Sequence, residues 1–67
     1  MGTAQLGRRI LAARTAKRLS QEALAKKAKV SRIYVAMLET GARQSPSLPV
    51  LERLAKALGV KLVDLLK

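Results

Sequence analysis

The side chains able to bind or react in this chain are almost all cations. Lysine and arginine together number 14, against four acids (Glu22, Glu39, Glu52 and Asp64), and the formal net charge is +10. Nine of the basic residues and only Glu22 among the acids lie at or before position 32. A positive excess of this size indicates that the partner is a polyanion.

The sequence lacks the residues that enzymatic catalysis usually needs. The sequence contains no histidine and no cysteine, so it offers no disulfide framework and no obvious metal site. The acids do not pair at a spacing useful for catalysis, which leaves no plausible general acid, base or nucleophile. We therefore expect a protein that is not an enzyme and that uses no cofactor and no metal.

A membrane surface is the second polyanion to consider. No apolar run approaches the roughly 18 to 20 residues that a helix needs to span a bilayer. The start of the chain also lacks the apolar segment of a signal peptide. We expect no membrane partner and a cytoplasmic location.

Two short helices between Ser20 and Gly41 are the elements expected to position the cations. Ser20 is a good N-cap for a helix with Glu22 in its first turn, and Ser31 is a second good N-cap eleven residues later. Gly41 supplies a left-handed residue that ends the second helix. The apolar residues expected to face each other across the pair are Leu24, Ala28, Val35 and Leu38. This pattern predicts a helix-turn-helix motif at about residues 20–41, whose second helix lies in the DNA major groove.

The remaining sequence predicts three further helices and a single all-α domain over residues 1–67. Leucine, alanine, lysine and arginine dominate and Tyr34 is the single aromatic residue, a composition that favours packed helices over sheet. The five expected helices run from about Thr3 or Ala4 to Lys17, from Gln21 to Lys27, from after Ser31 to near Thr40, from after Ser47 to Gly59, and from about Lys61. Helical spacing predicts buried stripes at Leu6, Ile10 and Ala13 on helix 1 and at Leu51, Leu54, Ala55 and Leu58 on helix 4.

Two segments outside these stripes carry separate expectations. Residues 42–46 are mostly polar or helix-breaking and predict a surface loop. The last helix carries more apolar surface than so short a segment can easily hide, and we expect that surface to be divided between the core and the interface of a symmetric dimer. The apolar residues in question are Leu62, Val63, Leu65 and Leu66.

Three stretches of the sequence resemble one family. They are LSQEALAKKAKVSRIYVAMLETG from Leu19, PSL at 46–48, and LERLAKALGV from Leu51. They are similar to the phage repressor and Cro type of helix-turn-helix domain, also called the Xre family, and the resemblance covers Leu6 to Leu66. It implies a compact five-helix, lambda-repressor-like domain, prokaryotic or phage-encoded and associated with the nucleoid when bound. Such domains usually bind operator DNA as homodimers.

The resemblance also assigns roles to individual residues. The N-terminus and outer face of the recognition helix are expected to contact bases through Arg32, Ile33, Ala36 and Met37. The DNA backbone is expected to be contacted by Gln21, Ser31, Tyr34, Arg43, Gln44 and Ser47. Tyr34 is expected mainly to pack, with its hydroxyl reaching water or a phosphate.

Arg14 and Glu39 match a family ion pair that links helix 1 to helix 3. Physical reasoning supports the same pairing, because an acid at the end of a helix is disfavoured by the macrodipole by roughly 0.3 to 1 kcal/mol. Arg14 also falls beside the apolar stripe of helix 1 and needs a partner there. A structural ion pair therefore accounts for both residues.

The chain departs from the family pattern at two turns and one loop. Arg18 and Lys29 stand where the family often has glycine, and a left-handed backbone at either would cost roughly 1 kcal/mol relative to glycine. The loop from Gly41 to Pro46 is one residue longer than usual. Contacts from Arg43 and Gln44 to the DNA backbone depend on how that loop is shaped.

Two functions are compatible with these residues. The first is a sequence-specific regulator of transcription, acting as a repressor, in which Arg32 contacts a base or phosphate and the apolar residues beside it contact thymine methyl groups. The second is an antitoxin-like interaction module, with secondary DNA binding, whose apolar helix 3 or helix 5 contacts another protein. In that case Arg32 is merely a solvated cation, and Ile33, Ala36 and Met37 contact a protein partner or nothing.

Overall fold

Serine caps begin three of the five helices, as the sequence predicts. The computed structural model describes residues 3–43 and 46–66, and its helices are α1 (Thr3–Ala16), α2 (Gln21–Ala28), α3 (Arg32–Thr40), α4 (Leu48–Leu58) and α5 (Leu62–Leu66). Ser20, Ser31 and Ser47 have extended backbone, and each side chain accepts an N–H three residues ahead. The all-α prediction is confirmed over the described ranges. None of the described helices is long and apolar enough to cross a membrane.

The helix ends differ from the predicted ones by a single residue in two places. α1 ends at Ala16 rather than Lys17, and α2 includes Ala28, which the sequence pattern places in the turn. Ala28 is fully buried, and the helix closes beyond it, where the N–H of Val30 donates to the carbonyl of Ala25 at 3.0 Å. Ala28 is thus a buried residue of α2 and not part of the turn.

The core lies where the five helices meet. α1 packs on α3, α2 packs on both α3 and α4, and α5 packs on α1 and α4. The predicted stripe of α4 is buried, and so are the facing residues of α2 and α3. The residues that form the core cluster are Ile10, Leu24, Ala25, Ala28, Val35, Leu38, Leu54, Ala55, Leu58 and Leu65.

Two expectations for the chain's later part are corrected. Leu65 is 2 % exposed and belongs to the core cluster, so it is not available to the predicted dimer interface. Pro46 is buried rather than part of a surface loop, while Arg43 is exposed. The expectations for Gln44 and Ser45 lie outside the described residues.

Arg18 and Lys29 both adopt the left-handed backbone that glycine would adopt freely at these turns. Their φ angles are 56° and 60°. Gly41 and Gly59, which end α3 and α4, occupy the same region without a penalty. The two basic residues therefore store local backbone strain that glycine would relieve.

Lys29→Gly is expected to raise the melting temperature or leave it unchanged. The left-handed backbone costs a residue with a Cβ about 1 kcal/mol relative to glycine, and the greater freedom of glycine in the unfolded chain offsets part of that gain. Thermal melts followed by circular dichroism measure the difference. Lys29→Ala is the matched control, because it removes the same side chain but keeps the strain. A clear drop for Lys29→Gly alone would show that the residue is not left-handed in solution.

Candidate nucleic-acid interface

The N-terminus of α3 is open to solvent. Ser31 satisfies the N–H of Tyr34 through its hydroxyl oxygen at 3.0 Å, but a helix has no acceptors of its own for the N–H groups of its first residues. Arg32 is exposed, and Ile33 is 63 % exposed, the highest value among the large hydrophobic residues that the structure describes as exposed. A positively polarised helix end with an exposed guanidinium is suited to phosphates and to acceptor atoms on base edges.

The outer face of α3 carries the four residues predicted to contact bases. Val35 and Leu38 point into the core, so the opposite side of the helix is formed by Arg32, Ile33, Ala36 and Met37. Ala36 and Met37 are half-buried, whereas the first two are exposed. Arg32 can donate hydrogen bonds, whereas the side chains of Ile33, Ala36 and Met37 offer mainly apolar contact, with one weakly accepting sulfur on Met37. The surface as a whole suits a groove that presents both acceptors and methyl groups.

A polar cluster between three helices holds α3 in place. The Nε of Arg14 donates to Oε2 of Glu39 at 2.6 Å, and Nη2 donates to Oε1 at 3.1 Å. Nη1 of Arg14 donates to the carbonyl of Leu19 at 2.8 Å, and Nε2 of Gln21 donates to Oε1 of Glu39 at 2.9 Å. The two ionic side chains are 13 % and 6 % exposed. The structure brings Arg14 and Glu39 together as an ion pair, and with Gln21 the cluster joins α1, the start of α2 and the end of α3.

The hydrogen bond to Glu39 raises the pKa of Arg14 above its ordinary value, although burial of the guanidinium opposes the shift. Arg14 therefore stays charged at any pH at which the domain is folded. A paired, bidentate arginine with a third bond to a carbonyl has little rotational freedom. The cluster is thus a rigid link rather than a mobile surface contact.

Gln21 belongs to this cluster as well as to the set of predicted backbone contacts. One hydrogen of its amide group is used on Glu39, and the other is available to an acceptor. The N–H groups of the first turn of α2 lie beside it. The start of α2 is therefore tied directly to the end of α3, so the two predicted DNA-contacting elements have a fixed relative position.

Four of the predicted backbone contacts line one open groove of about 370 Å³. The guanidinium carbon of Arg43 lies 5.1 Å from the ring centroid of Tyr34, within the range of a cation–π contact. Ser31 and Ser47 accept N–H groups with their hydroxyl oxygens and keep a proton to donate. The lining consists of these four residues with Val30, Pro46 and Val50. We call it the serine groove.

Two residues that matter to this arrangement are not identified by sequence reasoning. Gly7 is buried in α1, and an ideally placed Cβ there would lie 2.7 Å from the carbonyl oxygen of Glu39 and closer still to that of Leu38. Arg53 donates from Nε to the carbonyl of Ala28 at 2.9 Å and so caps the C-terminus of α2. A glycine inside a helical pattern could have indicated a close approach at Gly7. Nothing in the sequence indicates the capping role of Arg53.

These features define a class of protein. A short helix with an exposed N-terminus and outer face, held at a fixed angle to the helix before it and flanked by basic loops, is the arrangement by which helix-turn-helix domains bind DNA. The chain belongs to the helix-turn-helix family HTH_3, whose match covers residues 10–65. Its fold, motif and relatives are those of DNA-binding transcriptional regulators.

Comparisons with individual proteins agree with this assignment. The chain is 46 % identical over 56 residues to the immunity repressor protein of Bacillus phage phi105, covering 84 % of this chain and 38 % of that repressor. The chain thus spans well under half the length of this relative.

Two solved structures are similar over nearly their full length. The restriction-modification controller protein C.AhdI of Aeromonas hydrophila is 40 % identical with a TM-score of 0.89, covering 94 % of this chain and 94 % of that chain. The biofilm regulator SinR, from Bacillus subtilis, is 34 % identical with a TM-score of 0.89 in its complex with DNA, covering 92 % and 98 %.

Proposed function

We propose that this chain is a sequence-specific repressor domain that binds operator DNA through α3 in the major groove. The observation that carries the proposal is the exposed face of α3, which the Arg14, Glu39 and Gln21 cluster holds rigidly against α1 and α2. The similarity to a phage immunity repressor and to SinR, whose structure contains DNA, supports it. The base contacts would come from Arg32, Ile33, Ala36 and Met37.

We propose that the DNA backbone binds in the serine groove. Its two serine hydroxyls, the guanidinium of Arg43 and the hydroxyl of Tyr34 are all donors, and a phosphate oxygen is an acceptor without protons at neutral pH. The free amide hydrogen of Gln21 would contact a second phosphate on the far side of α3. Gln44 remains a backbone contact predicted from the sequence alone.

A symmetric dimer is part of the proposal. Val63 is 53 % exposed and Leu66 is 36 % exposed on α5, and Leu62 beside them is half-buried. Joining two copies through these residues would cover that apolar surface. Two recognition helices would then contact half-sites about 34 Å apart, one helical turn of DNA. Residues 1–67 would act as one domain without catalysis or a cofactor, in the cytoplasm where prokaryotic and phage DNA lies.

A protein-binding module is the second candidate, favoured by one observation. The outer face of α3 offers three apolar side chains beside a single cation, and Ile33 is largely exposed. An antitoxin-like domain would use that face to contact another protein. Tight binding to a protein partner together with weak, sequence-independent DNA binding would support this alternative.

Selection of bound sequences from a random pool of DNA duplexes tests the proposal. We expect a palindromic consensus, because a twofold-symmetric dimer presents the same recognition helix to each half-site. The affinity for the selected site is expected to fall steeply with salt as phosphate neutralisation releases counterions. A pool that shows no enrichment at moderate salt would contradict sequence-specific repression.

Arg32→Ala and Arg43→Ala are expected to affect binding in different ways. Arg32→Ala should relax the preference at one position of each half-site by about 1 to 3 kcal/mol, whereas Arg43→Ala should weaken all sequences alike. Competition binding with single-position variants of the selected site measures both effects. Lys61→Ala is the control, since it removes one exposed charge outside the proposed interface. Equal behaviour of all three variants would argue against the assigned contacts.

A further inference from the structure

A second groove, separate from the serine groove, lies between the C-terminal parts of α2 and α4. Its volume is about 400 Å³, and its lining residues are Lys27, Lys29, Arg53, Lys56 and Ala57. Four of these five residues are cations, and none of them is acidic. We call it the lysine groove. Like charges that converge on one open groove repel each other unless an anion lies between them.

Helix dipoles account for only part of this cluster. Lys27 and Lys56 lie in the last turns of α2 and α4, where cations interact favourably with the dipole. Lys29 follows α2 in a left-handed backbone that glycine would adopt without strain. A strained lysine that lines a basic groove suggests that its side chain is needed there.

Arg53 presents a fixed guanidinium to the same groove. Its Nε donates to the carbonyl of Ala28 at 2.9 Å, and its side chain is half-buried. One of its five N–H groups is used in this way, so the two terminal NH₂ groups are left to bind an anion. A guanidinium held by a backbone carbonyl is pre-organised for the paired oxygens of a phosphate.

The two grooves follow one another along α4. Ser47 and Val50 line the serine groove, and Arg53 and Ala57 line the lysine groove. Spacings of three and four residues place all four on one face of the helix. Across from them, the turn between α2 and α3 lines the lysine groove with Lys29, while Ser31 lines the serine groove. The lining residues of the cationic groove therefore come next along α4 and the turn after those of the proposed DNA-backbone site.

We propose that the lysine groove binds further phosphates of the DNA backbone, flanking the site that α3 reads. This inference rests on the proposed function, because the serine groove is the proposed site of the DNA backbone. The position of the lysine groove, next to the serine groove on the same face of α4, favours a phosphodiester chain over an acidic peptide. The groove would lengthen the contacted stretch of DNA and add affinity without adding base preference.

The test compares two double variants with equal loss of charge. Lys27→Gln/Lys56→Gln removes two cations from the groove, and Lys26→Gln/Lys61→Gln removes two exposed cations that do not line it. Binding to the selected site is measured against salt on a duplex that just covers the site and on one with ten further base pairs at each end. Removing one phosphate contact lowers the slope of log affinity against log salt by about one.

We expect the groove variant to lower the slope by about two on the long duplex only, with the sequence preference unchanged and the control slope nearly unaltered. Equal slopes for the two variants on the long duplex would overturn the inference. The inference would also be overturned if the groove variant kept the wild-type slope on DNA but lost binding to a polyglutamate peptide. A decrease in slope that is equal on the short and the long duplex would overturn it as well. If the wild-type chain selects no sequence, the proposed function fails. The salt slopes of the two double variants can still be compared on a duplex of arbitrary sequence, so the two failures are distinguishable.

Discussion

Glu39→Leu is expected to lower the free energy of unfolding by about 3 to 5 kcal/mol, because it leaves the guanidinium of Arg14 buried without its counter-ion. Arg14 is 13 % exposed and Glu39 is 6 % exposed, so water cannot replace the missing carboxylate well. The variant also removes the acceptor of Gln21. At the usual ~0.05 to 0.15 kcal/mol per residue, a domain of 67 residues has a total stability of only about 3 to 10 kcal/mol. Urea unfolding at low temperature, followed by circular dichroism, keeps the measurement within range.

The double variant Arg14→Met/Glu39→Leu shows whether the two residues act as a pair. Its loss of stability is expected to be well below the sum of the single losses, since removing both charges leaves neither one unpaired. Glu39→Gln is a companion variant that removes the charge: its single amide oxygen can still accept from Gln21 and from Nη2 of Arg14, but its NH₂ group replaces the oxygen that accepts from Nε of Arg14. Additive losses in the two single variants would show that the residues contribute independently.

Gly7→Ala is expected to destabilise the domain by at least about 1 to 3 kcal/mol, the usual cost of forcing an extra carbon into a packed site. At an ordinary helical position the same change stabilises, by up to about 1 kcal/mol. At Gly7, however, the new Cβ would lie 2.7 Å from the backbone carbonyl oxygen of Glu39. Backbone cannot rotate away as a side chain can, so α1 and α3 would have to separate.

The consequences of Gly7→Ala should extend beyond stability. Because Leu38 and Glu39 form the end of α3, moving them shifts the acceptor of Arg14 and the orientation of the recognition helix. We therefore expect weaker binding to the selected DNA site at temperatures where the variant is still folded. Ala12→Gly, at an exposed position of α1, is the control for helix propensity and should cost about 0.5 to 1 kcal/mol. A stabilising Gly7→Ala would contradict the close approach of the two helices.

The helices, their caps and most of the core could be predicted from the sequence. Caps depend on a hydroxyl and an N–H three residues apart, and buried stripes depend on a repeat of three and four residues. These are relations between near neighbours in the chain, so the sequence shows them directly. The Arg14 and Glu39 pair was also predictable, although 25 positions separate its members, because the family resemblance pairs these positions and an acid at a helix end needs a cation.

The division of α5 between core and surface could not be predicted. Leu62, Val63, Leu65 and Leu66 are all apolar, and a helix of five residues is too short for a repeat to show which side faces inward. Only the packing of α5 against α1 and α4 places Leu65 in the core and leaves Val63 exposed.

The helix-turn-helix motif, the outward face of α3 and the excess of positive charge could all be predicted from the order of residues. Three features are visible only in the folded chain: Gly7 is a point of close approach between α1 and α3, Arg53 caps α2, and four cations from α2, its C-cap and α4 meet in one groove. They differ from the predictable features in the sequence distance between the groups that interact. Hydrogen bonds and turns between near neighbours are written in residue order, whereas the distance between two helices is the outcome of packing by the whole chain.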